Sequence, residues 1–442
     1  MADTFKSNTL TELSWRGFIE QMTHAEELDA ALADASVTLY AGFDPSADSL
    51  HVGSLIPLMG LAFFHRHGHQ PVLLAGGATG RIGDPSGKSE ERVLKSDDEI
   101  LANLEGISAQ LRHVMHRALE MHPEGLGERA GSTEEILFVN NNDWMSPWSY
   151  IDFLRDVGKF FRVNAMMAKD SVRSRLEERE QGISYTEFSY MLIQAYDFLH
   201  LFEHHGCSLQ VGGSDQWGNI TAGTDLIRRK LGDPAFGLTF PLLTTASGQK
   251  LGKTEKGAVW LDAERTSPYE FYQYWRQRED ADVVTMLRLF TFLPKEEIDA
   301  LAAEVAEGRN RGQVQARLAH EVTTLIHGEE EADKAVRASK MLFGEAIQGL
   351  NDRDLRSVFK DVPSTEMSRD RLGGELTLAQ LFVETELVSS KGEAKRLFKQ
   401  NGGYLNNAQG SAHHTLSEAD LASETMLVLR AGKKKYHVVR FV

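Results

Sequence analysis

The sequence predicts an α/β chain: a Rossmann-like parallel-sheet domain, then an all-helical domain, then a small α+β module. Three observations predict it. Between residues 37 and 213, short apolar runs alternate with long helical stretches, the pattern of a parallel sheet covered on both faces. From Ser267 onward, helical periodicities follow one another with no strand between them. Near the end, two short helical patterns precede two apolar runs that flank the basic turn "AGKKK".

Taken in order, "VTLYAGF" (37–43) reads as a strand, "LIPLMGLAFFHRH" (55–67) as a helix stopped by Gly68, and "PVLLAGG" (71–77) as a second strand. Together they form a βαβ unit. "EILFVNN" (135–141) and "LQVGG" (209–213) read as further strands, and 118–134 as a surface insertion after a helix. "SPYEFYQYWRQ", "ADVVTMLRLFTFL", "GQVQARLAHEVTTLIHG" and "EADKAVRASKMLF" make up the helical run. The expected division is 1–246 for the parallel-sheet domain, 247–266 for a Gly- and Lys-rich loop and connector, 267–359 for the helices, 360–374 for a polar, turn-rich linker, and 375–442 for the α+β module.

With 442 residues and 41% apolar content the chain can bury a sizeable core. Its 48 Lys and Arg against 64 Asp and Glu leave a net charge of −16, which excludes indiscriminate binding to membranes or DNA. Any nucleic-acid contact must then use a local basic patch. The single cysteine, Cys207, excludes an internal disulfide and a multi-Cys zinc site and fits a reducing compartment. The N-terminal stretch has no apolar secretory core and the run Leu55 to Phe64 is too short to span a bilayer, so the expectation is a cytoplasmic protein.

Four stretches carry chemistry. "YAGFDPSADSLHVGS" (40–54) follows the first strand directly, where ligands of parallel sheets sit. "GGATGRIGDPSGKSE" (76–90) looks like a phosphate loop ending in Gly87-Lys88-Ser89, but its spacing fails the Walker pattern, leaving either a close approach to main chain or a tight turn. In "SYTEFSYMLIQAYDFLHLF" (184–202), Tyr190, Gln194 and Asp197 share one helix face, which is either an exposed stripe or a pocket wall. "LQVGGSDQWGNITAG" (209–223) puts Gly212 and Gly213 at a strand end before Asp215 and Gln216, suited to a sugar hydroxyl or to a plain turn. "SGQKLGKTEKG" (247–257) is a Lys-rich loop. His65, His67 and His69 fall at a helix end, where such side chains are favoured without any metal, and no metal ligand set is expected.

In this order the segments closely resemble the bacterial-type tyrosyl-tRNA synthetases, a class I aminoacyl-tRNA synthetase family, from about Leu10 to Val442. "HVGS" (51–54) is similar to the first class I signature, HIGH, and "KLGKT" (250–254) to the second, KMSKS; "GFDPSADSLHVG", "GDPSGK", "EFSYMLIQAYDF", "GGSDQWGNITAG" and "TSPYEFYQYW" match the tyrosyl branch.

The resemblance implies that Tyr40 and Asp197 bond the substrate phenol, that Asp84, Tyr190 and Gln194 hold its ammonium, and that Gln216 attends its carboxylate. A site built to bond a hydroxyl rejects phenylalanine without editing, a point for which tyrosyl-tRNA synthetases are themselves the standard example. On the ATP side it implies Gly42, Asp44, Gly53, Ser54, Gly213 and Asp215 around the nucleotide, with Ser46, His51, Lys250 and Lys253 near the phosphates and Lys88 and Arg92 joining them. Mg²⁺ would accompany the ATP. Ser54 stands where the signature has its last His.

The resemblance also makes 375–442 a ribosomal-small-subunit-type RNA-binding domain, with Lys391, Lys395, Arg396 and Lys399 on a helix and Arg430, Lys433, Lys434 and Lys435 at the final hairpin. The helices at 267–359 would meet the anticodon region of tRNA(Tyr), and the implied assembly is a homodimer using L-tyrosine and ATP. Two rivals stand beside an active ligase: a catalytically decayed synthetase-like RNA-binding protein, and a nucleotidyltransferase for a free small molecule.

Overall fold

The computed structural model describes residues 5–86, 95–127, 136–169, 172–173, 176, 182–244, 251–254, 257–310, 312–341, 345–347, 349–360, 362–432 and 435–442. Its larger sheet contains β1 (Gln21–Met22), β2 (Thr38–Phe43), β3 (Gln70–Ala75), β4 (Leu137–Asn140), β5 (Cys207–Gly213) and β6 (Phe236–Phe240), and a separate two-stranded pair follows, β7 (Lys253–Thr254) with β8 (Gly257–Ala258). The spatial order is β1-β6-β5-β2-β3-β4, with β2 to β6 parallel and β1 antiparallel at the edge. From β2 the chain winds one way to β3 and β4 and the other way to β5 and β6. The direction therefore switches between β2 and β5, and a crevice opens at their carboxyl ends.

The four runs read as strands are β2 to β5. β6 escaped the sequence reading because "FGLTF" is short, interrupted by Gly237 and bounded by Pro234 and Pro241. All five of its residues are nonetheless buried. Gly237 is needed there: a Cβ would come within 2.4 Å of Ile220 on the helix Trp217–Leu231 that covers the strand. The helix Leu55–Arg66 is buried on nearly every side, and at Gly60 a Cβ would lie 2.2 Å from the Phe240 ring.

The three histidines at the end of that helix have structural partners. His65 Nδ1 lies 3.0 Å from the His69 carbonyl, His69 Nε2 lies 2.8 Å from Thr9 Oγ1, and His67 Nε2 pairs with Glu12 at 2.6 Å. Between them, buried Arg66 donates to the carbonyls of Ala118, Met121 and His122 at 2.9, 2.7 and 2.7 Å. The described part of the segment read as an insertion is thus tied to the body of the fold by one guanidinium.

The chain packs as two compact units, residues 1–262 with 278–318, and residues 263–277 with 319–442. In the second unit a five-stranded sheet runs β11 (Ala408–Gln409), β10 (Gly403–Leu405), β12 (Met426–Ala431), β13 (Lys435–Phe441), β9 (Ser364–Met367). The polar stretch read as a linker therefore contributes a strand, β9, parallel to β13. Of its four residues only Met367 is buried, so an edge strand carried almost no apolar signal. The helices Leu378–Glu384 and Lys391–Lys399 cover one face of this sheet through Phe382 and Phe398. On the other side, Met341, Leu355 and Phe359 share a core with Met426, Val428 and Val438.

Candidate active site

The crevice between β2 and β5 holds a cleft of about 330 Å³, and the residues lining it come mainly from the stretches 40–54, 76–90, 184–202 and 209–223, with none from the described part of 247–257. β2 supplies Tyr40 and Gly42, the turn after it Asp44, Ser46, His51, Gly53 and Ser54, the helix Tyr185–His205 Tyr190, Gln194 and Asp197, and the end of β5 Gly213, Asp215 and Gln216. Asp84 joins from the loop after β3. The helical face of Tyr190, Gln194 and Asp197 is a pocket wall.

At the floor, Asp197 is 1% exposed and accepts from Trp144 Nε1 at 2.8 Å and Asn141 Nδ2 at 3.0 Å. Burial, which outweighs these two bonds and is helped by the Asp44 charge, pushes its carboxyl up to about 7. Beside it the Tyr40 hydroxyl is buried with no hydrogen-bond partner among the described residues, as are the side-chain carbonyls of Gln194 and Gln210. Such orphaned polar atoms around one cavity are what a polar ligand would satisfy.

Also in the cleft, Tyr190 donates to Asp44 Oδ2 at 2.9 Å. Gln216 Nε2 donates to Asp84 Oδ2 at 2.6 Å, while Asp84 Oδ1 accepts the Ser86 amide at 2.9 Å. Burial and the surrounding carboxylates hold the Tyr40 and Tyr190 phenols well above their ordinary range, so both stay protonated donors.

The glycines resolve the question left by the "GGATG" turn. A Cβ on Gly76 would lie 2.2 Å from Asp44 Oδ1 and 2.4 Å from Thr79 Oγ1; on Gly77 it would meet Asn140 Oδ1 at 2.2 Å. Side chains of the protein itself approach the backbone there. At Gly53 a Cβ would strike the His51 ring at 2.7 Å. His51 Nδ1 accepts the Gly53 amide at 3.0 Å, so the neutral ring carries its proton on Nε2 as a donor.

The two signature stretches adjoin. Val52 donates to the Val259 carbonyl and Leu261 to the Leu50 carbonyl, each at 2.9 Å, with a bridge between His51 and Trp260. This pairing sets Gly252 (φ 80) against Gly53, where a Cβ on Gly252 would lie 3.0 Å from the Gly53 nitrogen. Lys253 begins a two-residue strand, Lys253–Thr254, paired with Gly257–Ala258. Lys88, Arg92 and Lys250 lie outside the described residues, as do Lys433 and Lys434.

In the second unit Lys391, Lys395, Arg396 and Lys399 are all exposed on a helix that buries Ala394 and Phe398. Arg430 stacks over the Tyr404 ring at 3.7 Å. Lys435 Nζ donates to the Glu386 and Leu387 carbonyls at 3.3 and 3.1 Å.

Sequence reasoning missed Asn141, Trp144, Thr79 and Gln210. A signal existed for three of them: "NNDW", which holds Asn141 and Trp144, begins at the carboxyl end of β4, and Gln210 is a buried polar residue inside a parallel strand.

Two family models match the chain: "tRNA synthetases class I (W and Y)" over residues 32–344, and "Tyrosine--tRNA ligase SYY-like C-terminal domain" over residues 354–439. The chain belongs to the class I tRNA synthetases of the tryptophan and tyrosine group. Similar proteins include "Tyrosine--tRNA ligase" of Opitutus terrae, 48% identical over 435 residues covering 98% of this chain and 99% of that one, and "Tyrosine--tRNA ligase 1" of Bacillus subtilis, 47% identical over 438 residues covering 98% and 100%. Among solved structures, a C-terminally truncated Aspergillus nidulans mitochondrial tyrosyl-tRNA synthetase superimposes with a TM-score of 0.68 at 34% identity, covering 76% of this chain and 94% of that one. Within its group, then, the chain stands in the tyrosine branch.

The raised Asp197 carboxyl gives a pH expectation. Its folded value of about 7 exceeds the ordinary 3.8, so the folded protein keeps a proton that the unfolded chain releases, and this group costs stability as pH rises from about 4 to about 7. On the reading that Asp197 bonds the substrate phenol, tyrosine affinity should rise between pH 6 and 8 with release of a proton. Calorimetric titration in two buffers of different ionisation heat reads that proton; Asp197→Asn should flatten the profile.

Proposed function

We propose that the chain is a tyrosine–tRNA ligase that activates L-tyrosine with ATP and transfers it to tRNA(Tyr). The observation that carries this is the lining of the cleft, which includes both buried Asp197 and the Tyr40 hydroxyl, buried with no partner among the described residues. In this reading Tyr40 and Asp197 bond the phenol, and Asp84, Tyr190 and Gln194 face the ammonium. Gln216 attends the carboxylate. The tyrosine carboxylate oxygen attacks the α-phosphorus, a new P–O bond forms, the bond to the β-phosphate oxygen breaks, and diphosphate leaves. The 3′-terminal ribose hydroxyl of the tRNA then attacks the tyrosyl carbonyl and releases AMP.

No covalent nucleophile from the protein enters either step. What the first step needs is donors placed where charge grows on the leaving diphosphate, and His51, Ser46, Lys250 and Lys253, with Lys88 and Arg92, are the proposed set. Gly42, Asp44, Gly53, Ser54, Gly213 and Asp215 surround the adenosine. Mg²⁺ enters as part of the ATP substrate; the described residues offer no group of three His, Cys, Asp or Glu side chains placed for a metal of their own.

For the tRNA, the exposed cations of the helix Lys391–Lys399, with Arg430 and Lys433 to Lys435, form the proposed phosphate-binding face, and the helices of 267–359 the anticodon contact. Replacing Lys391, Lys395, Arg396 and Lys399 together by Ala should weaken tRNA binding about tenfold or more and leave tyrosine-dependent pyrophosphate exchange unchanged. The slope of log affinity against log salt should become shallower by about one for each phosphate that is no longer neutralised. Filter binding across a salt series checks this. Loss of exchange as well would mean the module is needed for the first step.

A homodimer is part of the proposal, supported by exposed Tyr150, Val163 and Tyr185 at 62%, 58% and 62%, with the Tyr150 and Tyr185 hydroxyls 3.0 Å apart. A cytoplasmic setting agrees with the one cysteine being buried, which pushes its thiol up and keeps it inert. Charging of a tRNA(Tyr) transcript with labelled tyrosine tests the whole reading. Exchange without charging would favour a free-standing nucleotidyltransferase, and tRNA binding without exchange a decayed synthetase.

A further inference from the structure

Asp44 and Asp197 both line the cleft, and one chain of buried side chains joins them. Asn141 is 0% exposed and all of its amide is engaged: Oδ1 accepts the Ala78 amide at 2.7 Å, and Nδ2 donates to Asp197 Oδ2 and to Thr79 Oγ1, both at 3.0 Å. The Ala78 bond fixes which way the amide faces, since the flipped orientation would set N–H against N–H. Thr79 is 2% exposed, and its hydroxyl passes the chain on by donating to Asp44 Oδ1 at 2.7 Å. Tyr190 holds the other oxygen of Asp44. Gly76 leaves the space in which the Asp44 and Thr79 oxygens meet.

Asn141 has no spare donor among the described residues. With the hydroxyl at the centre of the network removed, one buried Asn141 N–H loses its acceptor and can recover one only by turning, and Asp44 Oδ1 loses the bond that Thr79 gives it. Turning Asn141 releases Asp197; turning Asp44 moves it away from Tyr190. On this geometry, and on the reading of the cleft as the tyrosine and ATP site, we propose that Thr79 is a positioning residue that sets Asp197 for the phenol and Asp44 for the nucleotide at once, so that amino-acid discrimination and ATP use are coupled through a single hydroxyl.

The test compares wild type, Thr79→Val, Thr79→Ser, Asp197→Asn and the Val/Asn double variant in pyrophosphate exchange with tyrosine and with phenylalanine. The Val variant keeps the shape without the hydroxyl and should lower the tyrosine-to-phenylalanine ratio of kcat/KM about tenfold and raise KM for ATP as well as tyrosine. The Ser variant should stay within about twofold of wild type on both counts. In the double variant the loss of discrimination should be no greater than in Asp197→Asn alone, which is the mark of action through Asp197.

A Val variant with unchanged discrimination overturns the proposal. So does a Ser variant as impaired as Val, or a double variant whose losses add. Should the Val variant melt below the assay temperature, Thr79→Cys, of similar volume and a weak donor, takes its place under the same criteria. Wild-type protein without tyrosine-dependent exchange would instead defeat the reading of the cleft, an outcome the same series separates from failure of the Thr79 inference.

Discussion

Asp197→Asn is expected to lower kcat/KM for tyrosine by about 100-fold or more while changing that for phenylalanine far less, so that discrimination collapses from the tyrosine side. Asp197 accepts from Trp144 on one oxygen and from Asn141 on the other. An asparagine must turn its own NH₂ toward one of these donors, leaving a buried N–H unpaired at about 1–3 kcal/mol. It also removes the charged acceptor proposed for the phenol, about 1.5–3 kcal/mol more. Phenylalanine never used that acceptor. Trp144 stacks on His200 at 4.4 Å, and burial with the neighbouring His204 and His205 pushes the His200 imidazole down to about 4, so the stack stays uncharged across the assay range. Steady-state exchange with both amino acids at pH 8 reads the effect; an unchanged ratio would remove Asp197 from the phenol site.

His51→Ala is expected to cut kcat for exchange by about 10²–10³ while the equilibrium affinity for tyrosine moves less than about threefold. The ring is held at the start of the turn Val52–Ser54 by the Gly53 amide, with the residue bridged to Trp260 of the adjoining segment. A donor fixed in that way costs no reorganisation when negative charge builds on the departing diphosphate, so its loss falls on the transition state rather than on substrate binding. Fluorescence titration with tyrosine beside exchange kinetics separates the two. A loss that appeared mainly in tyrosine affinity would place His51 with the amino acid instead of the phosphates.

Much of this arrangement was legible in the sequence because parallel strands announce themselves. Four of the six strands of the larger sheet stand out as apolar runs, and ligand stretches follow two of them directly, so Tyr40 to Ser54 and Gly213 to Gln216 were placed at the site by topology alone. Helical spacing put Tyr190, Gln194 and Asp197 on one face; whether that face met solvent or a cleft depended on which strands lay opposite it, which spacing does not encode.

The parts that were not legible have physical reasons. β9 has one buried residue, and the buried roles of Arg66 and the three histidines rest on partners more than fifty positions away or on a turn that only the fold brings back. The glycines of "GGATG" resembled a phosphate cradle because a glycine yields to any close neighbour, and the neighbours turned out to be Asp44, Thr79 and Asn140. Thr79 bears no motif of its own; its significance and that of Asn141 come from a hydrogen-bond path that runs between segments far apart in the chain.

The most direct measurement is tyrosine-dependent exchange of labelled pyrophosphate into ATP by the intact chain, run beside tryptophan and phenylalanine. A cleft whose floor is Tyr40 and Asp197 should give rapid exchange with tyrosine and only background with the other two. Exchange that is absent with tyrosine in well-folded protein, or equal with tryptophan, would contradict it.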